Sequence, residues 1–484
     1  MRTHVRDKQH KRAPRPRRRP RRLIAVPQRL HEVRDPIHVF AHYNDHEKHV
    51  IDSEPFQRLR HIHQLALSYL VYPGASHKRF EHSIGVMHLA GRIYDVITRP
   101  DKIDEDFRSL VPAAGGGDAG EHAYWRSALR MAALCHDMGH LPFSHAAESE
   151  LLPEGWDHER ITWEIIHSEI LAPIWKSMVP KPDPDHVAKV ALGPETVEKL
   201  HLELDFDPWE AILADIIVGE VFGADRMDYL LRDSLHTGVA YGRFDHNRLI
   251  DTIRVMARPP QDESDEGAGE TSQTEPALGC ERGGLESAEA LLLARYFMFA
   301  QVYFHRDRLI YDEHLKDFLT AWLPDDVFPT SVAGHLERTD NEVLTAIAQA
   351  ARDCGAPGHD PARRILYRDH FQVAQNRLPE DPPGAMKAIA EAAADQFDPE
   401  NIRYGASPKR KDPPDFPVRD RLGRSYSSLS LSDVLRTLPA SRDEYVFAAP
   451  EIRDEAEAWM DSERERIIAE ADAAAGEPEE EGRK

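Results

Sequence analysis

The stretch Leu134–Cys135–His136–Asp137–Met138–Gly139–His140–Leu141–Pro142–Phe143–Ser144–His145 sets adjacent His and Asp residues at the end of an apolar segment, before a glycine turn and two more histidines. Upstream, Trp125, Leu129, Ala132, Ala133 and His136 recur at helical spacing, which predicts a buried helix closed by His136 and Asp137. Gly139 and Pro142 break that helix and leave His140 and His145 in a compact turn above it. An adjacent His–Asp pair offers a divalent metal one imidazole nitrogen and one carboxylate oxygen. Such pairs also arise by chance, and a histidine at a helix end is usually structural. The rest of the chain has to supply further ligands and a substrate.

Working outward, the helix expected from about Arg79 to Thr98 opens Arg79–Phe80–Glu81–His82–Ser83 and places a second imidazole, His82, near its start. Far downstream, Asp225, Tyr229 and Asp233 step by four residues within an apolar helix expected to start near Trp209, so they share one face. A buried row of carboxylate, phenol and carboxylate wants a cation, a donor or a ligand. For Asp228 and Asp233 the plainer expectation is pairing with Arg226 or Arg232.

The chain has 484 residues, of which 41% are hydrophobic and 30% charged, so it is expected to be a soluble globular protein with a large core. No apolar run is long enough to span a bilayer, and the basic N-terminus has no apolar segment of the secretory kind. The three cysteines, Cys135, Cys280 and Cys354, show no CxxC spacing, which argues against a disulfide framework and fits a cytoplasmic setting. A net charge of −23 disfavours broad nucleic-acid binding. Residues 1–26, densely basic to Arg22, are nonetheless expected to form a disordered arm, either a solvated tail or a phosphate-binding arm for nucleic acid.

Helices are expected to dominate to about Leu235 and to resume over Leu285–Leu323, Asn341–Arg352 and Pro383–Gln396. The polar, Gly-rich run 258–284 reads as a surface insertion. Residues 402–417 are Pro- and charge-rich and are expected to end the packed helical region. Strand-like Glu444–Phe447 precedes a charged helix from about Glu451, and 461–484 reads as an acidic tail.

Together the blocks DPIH, FQRLRHIHQL, YPGASHKRFEHSIGV, LCHDMGHLPFSH, WDHE, ADRMDYLLRD and ARYFMFAQVYFHR resemble the HD-domain deoxynucleoside triphosphate triphosphohydrolases, in that family's order. The similarity runs from about Asp35 to Ala240 and resumes over about Leu285–Leu319. It implies a mainly α fold, with an HD phosphohydrolase domain over 27–323 and a smaller α+β C-terminal lobe over 324–460.

The resemblance further implies that His82, His136, Asp137 and Asp225 hold one divalent metal, Mn, Fe, Zn or Mg. Arg79, Arg226 and Arg295 match phosphate-holding positions. His158, oriented by Glu159, matches the family's catalytic histidine, with His145 a second candidate and His140 beside them. Tyr229 and Asp233 match residues that meet the sugar 3′-hydroxyl, and Gln64, Leu65 and Tyr303 match positions that crowd the 2′ side. The implied reaction converts a dNTP to a deoxynucleoside and inorganic triphosphate.

Family members are commonly homo-oligomers, often tetramers activated by a bound nucleotide. Asp52, Gln57 and Arg60, with His305 and Arg306, match guanine-nucleotide activator positions, although a helix-surface ion pair would account for Asp52 and Arg60 equally well. An HD-type nuclease using the same metal is the competing enzyme, and a non-catalytic nucleotide sensor the competing binder.

Overall fold

The computed structural model describes residues 29–112, 119–144, 148–258, 275–407, 414–439 and 443–476. At its centre the helix Arg79–Ile97 is buried on nearly every side, with Ile84, Met87, Leu89, Ala90, Ile93 and Tyr94 among its enclosed residues. Glu81 closes its first turn by accepting from the backbone nitrogen of Lys78 at 3.1 Å. Against it pack the helices Ala119–Cys135 and Ala224–Thr237, and Pro208–Val218 completes the wall. Each fully enclosed Leu, Ile or Met side chain contributes about 1.5–3 kcal/mol, so this helical layer is the stable frame on which the polar residues are mounted.

The strands β1 (Leu30–Asp35), β2 (Val39–Asn44), β3 (Ile253–Ala257), β4 (Pro276–Glu281), β5 (Gln372–Asn376), β6 (Ile402–Ala406), β7 (Pro417–Arg419), β8 (Ser425–Ser427) and β9 (Glu444–Ala448) form three small sheets. β1 and β2 make an antiparallel hairpin; β3, β4, β7 and β8 line up in that order, with β4 and β7 parallel. β9 runs antiparallel between β5 and β6, and the helices Ala385–Phe397 and Arg453–Gly476 cover that sheet around Met386, Ile389, Val446 and Met460. The fold is mainly α, with the sheet-bearing α+β part in the C-terminal region.

Several expectations are corrected. The helix thought to begin near Trp209 is two helices, because extended backbone at Gly219 ends the first at Val218 and the second starts at Ala224. Within 258–284, expected as a surface insertion, Pro276–Glu281 is instead a core strand with Ala277, Leu278 and Cys280 buried; 259–274 lie outside the described residues. The helix expected over Leu285–Leu323 is interrupted by a π-turn at Phe299–Tyr303. Residues 402–417 begin with β6 and so do not end the packed region. The last helix runs through the expected boundary at 460/461, with Ile467 buried against the sheet helices. The basic arm lies outside the described residues. Among the described residues no helix is long and apolar enough to cross a membrane.

Candidate metal centre and active site

The helix Ala119–Cys135 ends one residue before His136, and the turn Met138–His140 folds back beneath the helix His158–Ile166. Gly139 is required there: a Cβ would collide with the His158 carbonyl and with Thr162. Phe143 and Ser144 both adopt positive φ (58° and 60°), a conformation that costs non-glycine residues about 1–3 kcal/mol each. Fixed partners hold them, since Phe143 N donates to Asp340 Oδ1 at 2.8 Å and Ser144 Oγ accepts from Arg79 Nε at 2.9 Å.

The four expected ligands converge. His82 Nε2 lies 3.0 Å from Asp225 Oδ1 and 3.7 Å from Asp137 Oδ2, while His136 Nε2 lies 3.4 Å from Asp137 Oδ1 and 3.7 Å from Asp225 Oδ1. His136 Nδ1 donates to the Ala133 carbonyl at 2.8 Å, which turns Nε2 into the ring's free face; that atom is buried without a hydrogen-bond partner. Two imidazoles and two carboxylates around one buried, unsatisfied nitrogen fit a divalent cation.

Charge is finely divided around this point. Burial pushes the Asp137 carboxyl up, but Arg79, His136 and His140 hold it well below the usual range; Arg79 Nη1 donates to it at 2.5 Å. Burial, with Arg79 and His158 nearby, drives His140 well below an ordinary histidine and so keeps it neutral. Its ring stacks on that of His158, 4.0 Å between centroids. Burial also opposes charge on His158, yet Glu148 outweighs it and raises the value.

The His158 partner is a correction. Glu159, expected to orient it, turns away to Lys199 at 3.1 Å, whereas Glu148 Oε1 accepts from His158 Nδ1 at 2.6 Å. Sequence reading missed Glu148. His145 lies outside the described residues.

These groups open onto a cavity of about 900 Å³ lined by Gln64, Leu65, Arg79, His140, His158, Tyr229, Asp233 and Tyr303, with Tyr404–Ala406 of β6 closing one side. Asp233, expected to pair with Arg226 or Arg232, instead accepts from Tyr303 Oη and His77 Nε2, both at 2.7 Å. Asp228 does pair with Arg232. Arg226 and Arg295, expected on phosphates, stand close enough to the cavity-lining Tyr229 for both charges to act on its phenol; Arg226 Nη1 also donates to the Gly219 carbonyl at 3.2 Å, and the Arg295 guanidinium lies 5.4 Å from the Phe299 centroid.

The residues matched to an activator site lie apart from this cavity. Asp52 pairs with Lys48 rather than Arg60. Arg60 Nε donates to Gln57 Oε1 at 2.9 Å, and its guanidinium covers the Phe80 ring. His305 meets the edge of Tyr72, and Arg306 pairs loosely with Asp307 at 3.6 Å.

The segment from Arg79 to Leu192, which bears His82, His136 and Asp137 but not Asp225, matches the HD domain, and residues 269–400 match an HD-associated region. Residues 79–192 form an HD domain. The chain is 35% identical over 284 residues to an uncharacterized protein of Methanocaldococcus jannaschii, across 59% of this chain and 48% of that one. It is 31% identical over 246 residues to the human deoxynucleoside triphosphate triphosphohydrolase SAMHD1, across 46% of this chain and 36% of that enzyme. The chain therefore spans about half of the first relative and about a third of the second. A hypothetical protein from Aquifex aeolicus shares the fold with a TM-score of 0.69 and 28% identity, over 89% of this chain and 99% of that one. A phosphohydrolase from Bacteroides thetaiotaomicron shares it with a TM-score of 0.64 and 20% identity, over 87% and 100%, a likeness of fold alone.

Proposed function

We propose that this HD-domain protein hydrolyses deoxynucleoside triphosphates to a deoxynucleoside and inorganic triphosphate. The observation that carries the reading is the meeting of His82, His136, Asp137 and Asp225, the last three on the wall of a nucleotide-sized cavity that also holds Arg79, His140 and His158. The identity to SAMHD1, named as a dNTP triphosphohydrolase, supports the same substrate.

His82, His136, Asp137 and Asp225 would hold the divalent ion, which when bound supplies phosphoryl polarisation and water activation. Arg79 and neutral His140 donate to triphosphate oxygens that enter the cavity. His158, whose imidazole Glu148 raises above its ordinary value against burial, stands as the general acid. Water's oxygen bonds to the α-phosphorus as the bond to the ribose 5′-oxygen breaks, that oxygen takes the proton from His158, and the proton released by the attacking water restores His158. Tyr229 and Asp233 meet the 3′-hydroxyl, and Gln64, Leu65 and Tyr303 leave little room for a 2′-hydroxyl.

A homo-oligomeric state and activation by a guanine nucleotide at Asp52, Gln57, Arg60, His305 and Arg306 belong to the same proposal. The test is purified protein with each dNTP and NTP, with Mn, Fe, Zn or Mg, with and without GTP, and products separated by chromatography. Inorganic triphosphate from dNTPs is the expected result. Shortening of labelled single-stranded nucleic acid without triphosphate release would replace this reading with a nuclease.

A further inference from the structure

Behind His82, on the side away from the other ligands, stands Asp228. It is completely buried, and its carboxylate receives four donors. Oδ2 accepts from His82 Nδ1 at 2.9 Å and Arg232 Nε at 2.7 Å; Oδ1 accepts from His38 Nε2 at 2.7 Å and Arg232 Nη2 at 2.9 Å. A carboxylate so saturated has one orientation. Because a carboxylate only accepts, it fixes the His82 proton on Nδ1 and leaves Nε2, the atom facing Asp225 and Asp137, as the ring's ligand lone pair.

Two of the groups that hold this arrangement come from outside the helical core, from the turn joining β1 to β2. His38 reaches Asp228 directly. Asp35 accepts the backbone nitrogens of Ile37 and His38, both at 2.8 Å, so it shapes the turn, and its other oxygen takes Arg232 Nη2 at 3.0 Å. The side chains of His38, Arg232 and Asp228 are fully enclosed, and that of Asp35 nearly so. Gly85, on the central helix, makes room for the group, since a Cβ there would collide with both Asp228 and Arg232. A buried ion cluster of this density costs more to desolvate than its pairs return, and an apolar filling would stabilise the fold as well. What apolar residues cannot supply is the orientation of a metal-facing imidazole.

We propose that Asp228 is the positioning residue of the metal centre, and that His38 and Asp35 of the β1–β2 turn, acting directly and through Arg232, hold it in register with His82. The proposal rests on the metal reading above and extends it: the hairpin turn is a structural part of the metal centre though it supplies no ligand.

The experiment titrates Mn²⁺ and Co²⁺ into the full-length, metal-stripped chain without substrate, comparing wild type with Asp228→Asn and His38→Phe. Manganese affinity should weaken about 10- to 100-fold in Asp228→Asn and about 10-fold in His38→Phe, the range typical of lost outer-shell partners. The Co²⁺ absorption bands, which read ligand geometry and not global stability, should shift in Asp228→Asn. Wild-type affinity and an unshifted Co²⁺ spectrum in both variants would overturn the proposal. Should Asp228→Asn fail to fold, His38→Phe decides alone. Because no nucleotide is present, a wild-type chain that binds metal yet splits no dNTP overturns the proposed reaction and not this relay, while a wild-type chain that binds no metal overturns both.

Discussion

Glu148 Oε1 stands 2.6 Å from both the backbone nitrogen and the Nδ1 of His158, so one carboxylate holds the first residue of the helix His158–Ile166 by backbone and side chain, while Asp157 caps that helix. Opposing burial, this contact raises the His158 imidazole above its ordinary value, while burial, Arg79 and His158 itself lower His140. Stacked histidines pushed in opposite directions fit the proposed division between an acid, His158, and a neutral donor, His140.

Glu148→Gln should therefore lower kcat about 100-fold, toward the lower end of what general acid–base catalysis supplies. Loss of the anion lowers the His158 value, so the alkaline limb of the kcat profile should move to lower pH. Glu159→Gln should move that limb less, because Glu159 pairs with Lys199 and acts on His158 only through space, whereas Glu148 hydrogen-bonds to it. A kcat–pH profile for both variants checks the pair, and an unmoved limb in Glu148→Gln would rule out the assignment.

Metal binding should release protons. Burial disfavours charge on His82, yet Asp225, Asp228 and Asp137 raise it to about 10, so the metal-free chain carries a proton on this ligand at neutral pH. An incoming ion displaces it, and affinity should tighten roughly tenfold per pH unit per proton released between about pH 6 and 8. The same raised value stabilises the metal-free fold below the ordinary histidine range, and that contribution is lost as pH climbs through about 10. Calorimetry in buffers of different ionisation enthalpy counts the protons. His136→Ala and Asp137→Ala should abolish turnover with the far-UV spectrum retained.

Much of this centre was legible before the fold. The helix predicted from Arg79 to Thr98 runs Arg79–Ile97, because an unbroken apolar pattern and strong breakers on either side leave few alternatives. The four ligands came from resemblance and helical stepping, and the helix ends bring them together. Glu148 was not legible. Glu159 adjoins His158 in the chain, but neighbours on a helix point to different faces, so adjacency misled. β4 was missed for another reason: its partners are β3 across the Gly-rich run and β7, with Cys280 opposite Val418, pairings no local pattern reports.

Asp340 should prove a structural keystone rather than a reacting group. Fully buried at the start of the helix Asp340–Ala350, it accepts from His63 N and Nδ1 at 2.6 Å and from Phe143 N at 2.8 Å. Asp340→Ala strands these donors away from water and frees the strained Phe143 backbone, at a cost of about 3 kcal/mol. Denaturant titration measures it; a loss below about 1 kcal/mol would mean that water or a neighbour replaces the carboxylate.

Sugar recognition is testable on the Asp233 carboxylate, whose two oxygens are steered by Tyr303 and His77 from opposite sides. If this carboxylate meets the 3′-hydroxyl, Asp233→Asn should cost about 10- to 100-fold in kcat/KM on a dNTP, the usual loss when a charged hydrogen bond is weakened. It should then cost almost nothing more on a 2′,3′-dideoxynucleotide, because substrate and enzyme remove the same contact. Tyr303→Ala should act on the other edge of the sugar, raising kcat/KM for ribonucleotides relative to dNTPs about tenfold, within the modest discrimination that shape alone provides against an added hydroxyl. Additive losses on the dideoxy substrate would place the 3′-hydroxyl elsewhere, and an unchanged ribo/deoxy ratio would remove Tyr303 from sugar selection.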